Sequence, residues 1–172
     1  MEKLTLTSAE AAKLLRKLND EYASIAEKEE KRKVFRAALG EDPESVRPAY
    51  DYRQTQTELE ETAEKIRRVK HAVNLFNVST VVPGFDVTVD EMLVLIPQLT
   101  RQKAKLAGMR LRLPKERVDE RLMRGSNVID YTYLNYDPAE AESDHTAVSD
   151  RLAAAQLALD RVNQTVTFQV EI

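Results

Sequence analysis

Residues 52–76 read YRQTQTELEETAEKIRRVKHAVNLF, and this stretch decides the fold. Tyr52, Thr55, Leu59, Thr62, Ile66, Val69, Val73 and Phe76 recur at alternating spacings of three and four. That period puts them on one face of a helix, about 36 Å long at ~1.5 Å per residue, ready to pack against a second helix. Glu61 and Lys65, then Glu64 and Arg68, stand four apart in the order that favours outward ion pairs. Pro48 suits the first helical position, and the helix is expected to stop near Asn77.

A partner lies upstream. Thr7-Ser8-Ala9-Glu10 has the capping-box pattern, a hydroxyl at the N-cap and a carboxylate three residues on. Ala11, Leu15, Leu18, Tyr22 and Ile25 continue as a heptad seam that fails at Glu29 and Arg32. Residues 27–33 are all charged, and Lys17/Glu21, Glu27/Lys31 and Glu29/Lys33 suit a solvated helix. Gly40 reads as the residue closing this helix, and Asp42-Pro43 as a turn. The two helices therefore form an antiparallel hairpin. Its outer end, where the second seam is Thr-rich, is expected to be mobile or covered by another chain.

Downstream, Val78–Val82 and Phe85-Asp86-Val87 read as short strands around a Pro83-Gly84 turn. A second capping box, Thr88-Val89-Asp90-Glu91, opens a Leu-rich helix faced by Met92, Ile96 and Leu99, with a kink expected at Pro97. Residues 115–126 lack a period and read as loop or frayed helix. Residues 128–134 alternate as a strand. Asp137-Pro138-Ala139-Glu140 starts the last helix, whose seam is Ala141, His145, Val148, Leu152, Ala155, Leu159 and Val162. Val166, Phe168, Val170 and Ile172 then alternate with Thr167, Gln169 and Glu171 as a terminal strand. An exposed strand of this kind invites edge pairing, so these four apolar residues are candidate oligomer contacts and a homo-oligomer is expected. The fold class is mainly α: a long antiparallel helical hairpin or four-helix bundle with a small antiparallel β element. One domain spans 1–172, with the hairpin in 1–77 and the β-turn, kinked helix, basic segment, strand, helix and terminal strand in 78–172.

Composition narrows function. The 172 residues include no Cys, which excludes disulfides, a thiol nucleophile and thiolate zinc sites. Four Gly leave no room for a glycine-rich phosphate loop. No apolar run is long enough to span a membrane, and residues 1–30 hold no apolar signal-peptide core, so a cytoplasmic protein is expected. Ser79, Ser126 and Ser143 have no nucleophile-elbow context. His71 and His145 have no second ligand at metal-binding spacing; the position four before His145 is Ala141, and Glu142 is its only near-facing acid. No enzyme, cofactor or metal site is expected.

The order of parts over residues 66–172 resembles a family of small, largely uncharacterised bacterial helical proteins called septicolysin-like. The resemblance rests on the helix ending near Asn77, the turn to Thr88-x-x-Glu91, the Leu-rich helix, Arg121-Leu122-Met123-Arg124, the strand to Leu134 and the capped helix reaching Asn163. The chain departs from the family at Gln164, where members often carry Trp, and at Pro97. The family label implies a cytolysin; no amphipathic membrane hairpin is visible in this sequence, and the resemblance implies no catalytic residue.

Charge marks one place for a partner. Residues 101–124 hold nine Lys/Arg and three acids, +6 in a chain whose net charge is −3. Arg110, Arg112, Arg117, Arg121 and Arg124 are the candidate contacts for a phosphate-rich ligand or nucleic acid, with Tyr131, Tyr133 and Tyr136 just beyond for base stacking. The competing reading pairs these cations with acids of the same fold. The expectation is a non-enzymatic oligomeric structural or interaction protein, with self-association, a protein partner, and nucleic-acid binding as the alternative.

Overall fold

In the computed structural model, which describes residues 3–118 and 130–172, both capping boxes form as the side chains dictate. Thr7 accepts from the Glu10 amide at 3.2 Å while the Glu10 carboxylate accepts from the Thr7 amide at 2.8 Å. Thr88 and Glu91 repeat the exchange at 3.2 and 2.7 Å. These caps start α1 (Ser8–Arg32) and α4 (Val89–Met109). Strand β1 (Lys3–Thr7) precedes α1; α2 (Pro43–Val46) and α3 (Tyr52–Ser79) follow it. Strands β2 (Val81–Val82) and β3 (Val87–Thr88) lead into α4. Then come β4 (Lys115–Arg117), β5 (Tyr131–Tyr133), α5 (Pro138–Thr165) and β6 (Thr167–Glu171). The described chain is mainly helical, with small antiparallel sheets of two strands each. It divides into two units: the chain up to Thr80 with Arg161–Ile172, and Val81–Asp160, the second boundary falling inside α5. The terminal strand therefore belongs with the hairpin of the first unit.

In the first unit α1 packs on α3 through the expected seams. Ala11 and Leu18 are buried on α1, and Thr62, Val69 and Phe76 on α3. Thr62 is tolerated there because its hydroxyl donates to the Glu58 carbonyl at 2.8 Å, so its own buried donor is satisfied. Helix α3 begins at Tyr52, capped by Asp51, so Pro48 lies before it rather than at its first position. Helix α1 ends at Arg32 with Lys33 as its cap in a right-handed conformation. Gly40 instead supplies a turn at φ +89° in the connection that follows, and Asp42 caps α2.

The outer end of the hairpin is closed by the chain itself. The Tyr50 hydroxyl donates to Glu29 at 2.8 Å, and the Gln56 amide donates to the same oxygen at 2.7 Å. Glu29, where the apolar seam fails, thus becomes a polar hub between α1, the connection and α3. Burial and the hydrogen bond to Glu29 push the Tyr50 phenol up to about 12.

Strand β6 pairs antiparallel with β1, Lys3 opposite Glu171 through Thr7 opposite Thr167. The sequence reading left Val166, Phe168, Val170 and Ile172 as an exposed strand for a second copy. The pairing corrects that premise, because β1 meets one edge of β6 within the chain. Val170 is 1% exposed and joins Ala11, Leu18 and Val69 in the core; Leu6, Phe168 and Ile172 pack on that cluster. The Phe168 ring stacks on Phe76 with centroids 4.8 Å apart. Val166 stays outside, 37% exposed. The polar face of the ribbon carries a Lys3–Glu171 ion pair at 2.9 Å.

In the second unit Val81 pairs with Thr88 and Val82 with Val87 around a tight turn. Gly84 sits at φ +83° and Asp86 at φ +52°, left-handed positions that these residue types accept. Helix α4 runs unbroken through Pro97 and buries Val89, Met92, Leu99 and Leu106. Helix α5 starts on Pro138, with Asp137 accepting from the Ala139 amide at 2.8 Å, and buries Ala141, Leu152, Ala155 and Leu159 in this unit. No described helix is long and apolar enough to cross a membrane.

Candidate functional site

The basic segment is organised by a ribbon that charge alone does not reveal. Lys115 pairs with Tyr133, Glu116 with Thr132 and Arg117 with Tyr131. Two further backbone bonds lengthen the ladder, Val118 N–H to the Asp130 carbonyl at 3.1 Å and Leu134 N–H to the Pro114 carbonyl at 3.1 Å. Residues 115–117, expected as loop or frayed helix, are a strand. Three charged residues carry no hydrophobic period, and backbone hydrogen bonds to β5 make the strand. Of the strand expected over 128–134, Tyr131–Tyr133 is β5, while residues 128 and 129 lie outside the described residues.

Strand geometry then sorts the side chains. Residues directly opposite share a face and alternate ones do not. Lys115, Arg117, Tyr131 and Tyr133 therefore share one face, and Glu116 and Thr132 the other. All six are exposed. The Lys115 ammonium stands 4.2 Å from the Tyr131 ring centroid and 5.4 Å from that of Tyr133. The two rings are 6.5 Å apart and tilted by 52°.

The ribbon is anchored at its base. The Tyr136 hydroxyl donates to the Met109 carbonyl at the end of α4, at 2.9 Å. One Arg110 nitrogen donates to both carboxylate oxygens of Glu142, at 2.9 and 3.1 Å. These contacts join the end of α4 to the start of α5, so β4 and β5 leave the helices from one fixed place. Arg110 is thus engaged within the fold, as the competing reading of the basic segment required. Arg112 is exposed, Arg117 lies on the tyrosine face, and Arg121 and Arg124 lie outside the described residues.

No protein-family model and no curated protein matches the sequence. One solved structure is similar. It is the crystal structure of a functionally unknown conserved protein from Corynebacterium diphtheriae, with a TM-score of 0.56 and 16% identity. The match covers 96% of this chain and 99% of that one. At that identity the likeness concerns the fold.

Two of the grooves in the first unit lie near residues singled out above. One, of about 510 Å³, lies beside the Glu29 hub and is lined by Lys28, Arg32, Tyr50, Asp51 and Glu58. Sequence reasoning missed it, because its walls come from a connection whose path only the folded chain sets. The other, of about 590 Å³, lies between the end of α3 and β6 and includes His71, Leu75 and Phe168. His71 is exposed there; His145 is half-buried on α5. Among the described residues no group of three or more His, Cys, Asp or Glu is placed to hold a metal ion. The Ser79 hydroxyl donates to the Leu75 carbonyl at 2.7 Å.

Proposed function

We propose that this is a non-enzymatic interaction protein and that the tyrosine face of the β4–β5 ribbon is its recognition surface for a polyanionic partner. One observation carries the reading. Lys115 and Arg117 stand on the same exposed face as Tyr131 and Tyr133, while Glu116 falls on the opposite face. A polyanion approaching the first face meets positive charge, and one approaching the second meets a carboxylate. The other described candidate cation on a helix end, Arg110, is held by Glu142 and acts in the scaffold.

The test is retention on immobilised heparin and titration with inorganic polyphosphate across a salt series. The logarithm of the affinity is expected to fall linearly with log salt, with a slope set by the number of cations engaged. Lys115→Glu combined with Arg117→Glu is expected to abolish it. A wild-type chain that binds neither ligand at low salt overturns the proposal.

Self-association is a second reading with an observation of its own. Leu93 and Val94 are adjacent on α4 and stand 48% and 56% exposed. Light-scattering mass at low and high salt tests it: an oligomer stable to salt supports apolar association, and a monomer at both removes it. A cytoplasmic location belongs to the same proposal, and fractionation of cells carrying the tagged chain checks it.

A further inference from the structure

We infer that the partner of the ribbon is single-stranded nucleic acid, with successive bases stacked on Tyr131 and Tyr133 and the backbone phosphates held by Lys115 and Arg117; this rests on the polyanion reading above. Three features of the ribbon select this ligand class. The first is spacing. Tyr131 and Tyr133 are two apart on one strand, and their ring centroids are 6.5 Å apart. That is about double the ~3.4 Å rise per nucleotide within a stacked strand. Neighbouring bases that each cover one ring must therefore be unstacked from one another. A single strand permits that at little cost, whereas a duplex buries its base faces in its own stack.

The second feature is a row of cations beside the row of rings. Each ring has a cation directly across the ladder, Lys115 opposite Tyr133 and Arg117 opposite Tyr131. The cations then form a row along β4 beside the row of rings on β5, as phosphates run beside the bases along a strand. An inorganic polyanion would use the cations and leave the rings idle. A base stacks on an aromatic ring more strongly than an exposed ammonium holds to it. The Lys115 ammonium, now 4.2 Å from the Tyr131 centroid, can therefore yield the ring to a base and turn to a phosphate.

The third feature is one-sidedness. Glu116 and Thr132 occupy the reverse face, so the strand can lie along only one side of the ribbon. In this arrangement the rings take bases and the cations take phosphates, so RNA and DNA strands are both accepted.

The experiment uses the full chain and four probes: a labelled oligo-dT, a duplex of the same length, inorganic polyphosphate, and phosphatidylserine vesicles. The wild type is expected to bind the single strand at least about tenfold more tightly than the duplex. Tyr131→Ala with Tyr133→Ala is expected to weaken single-strand binding by ~30-fold or more and leave polyphosphate binding unchanged. Tyr131→Phe with Tyr133→Phe keeps the rings and is expected to bind as the wild type does. This pair also separates stacking from a folding defect, with far-UV circular dichroism recorded for each variant. Equal binding of single strand and duplex, or an alanine pair that binds like the wild type, overturns the inference while leaving the polyanion reading intact. Binding to phosphatidylserine vesicles but to none of the oligonucleotides also overturns it. Failure to bind any polyanion removes both.

Discussion

Val170→Ala tests whether β6 closes the first unit of its own chain. The side chain is 1% exposed and packs with Ala11, Leu18 and Val69. Truncation removes two buried methyl groups, about 1.6 kcal/mol at ~0.8 kcal/mol per buried carbon. A residual void of about 40 Å³ adds about 1 kcal/mol at ~24 cal/mol per Å³. The expected loss is therefore about 2.5 kcal/mol. Urea unfolding followed by circular dichroism reads it as a midpoint lowered by roughly 1.2 M, for a slope of about 2 kcal/mol per M. Gln169→Ala, on the solvent face of the same strand, is expected to stay within about 0.5 kcal/mol of the wild type. The measurement is repeated over a roughly twenty-five-fold range of protein concentration, because stability that comes from a subunit contact depends on concentration. A shift below about 0.5 kcal/mol for Val170→Ala would refute the burial argument. A shift that changes with dilution would return Val170 to an interface between copies.

Three further outcomes follow from local geometry. Gly84→Ala must place a Cβ at φ +83°, where space is open but the backbone is strained, and is expected to cost about 1 to 2 kcal/mol; Gly108→Ala, in α4 with nothing within 4 Å, is expected to stabilise by up to about 1 kcal/mol, and thermal melts rank the two. Hydrogen bonds from Thr7 and Thr88 hold the carboxyls of Glu10 and Glu91 below the usual 4.5, so their contribution is fully present above that pH and is lost as pH falls through the lowered values; urea melts from neutral to acid pH should show it, and Glu91→Gln should lessen the acid-induced loss. Glu142→Ala breaks the pair with Arg110, whose two side chains are 53% and 30% exposed, and is expected to cost under about 1 kcal/mol, a difference that shrinks in high salt when melts are compared.

The helices and their caps were legible because their determinants are local. Thr7 and Glu10, Thr88 and Glu91, and Asp137 with Pro138 lie within one turn of each other, so spacing alone specifies who bonds to whom. The seam from Tyr52 to Phe76 carries the 3.6-residue period over many turns, and its inner half, Thr62 to Phe76, buries as read. The boundaries at Pro48 and Gly40 were misread for a related reason. Each residue suits a helix end, but Asp51 and Lys33 meet the capping requirement first.

What the sequence alone determined, then, is the mainly helical class, the hairpin of α1 and α3, the capped starts of α1, α4 and α5, and the inner part of the seam that the hairpin buries. Tertiary structure decided the rest, because each remaining feature joins residues far apart along the chain. Strand β1 is five residues long and gains its identity from β6 at the opposite terminus. Glu29 breaks one seam, and only the returning connection turns it into the acceptor for Tyr50 and Gln56. Lys115-Glu116-Arg117 shows no strand period, and backbone bonds to β5 both make it a strand and bring its cations onto the face of Tyr131 and Tyr133. Backbone ladders take almost any side chain, so distant pairings leave little trace in sequence, whereas amphipathic helices record their partner face in every turn.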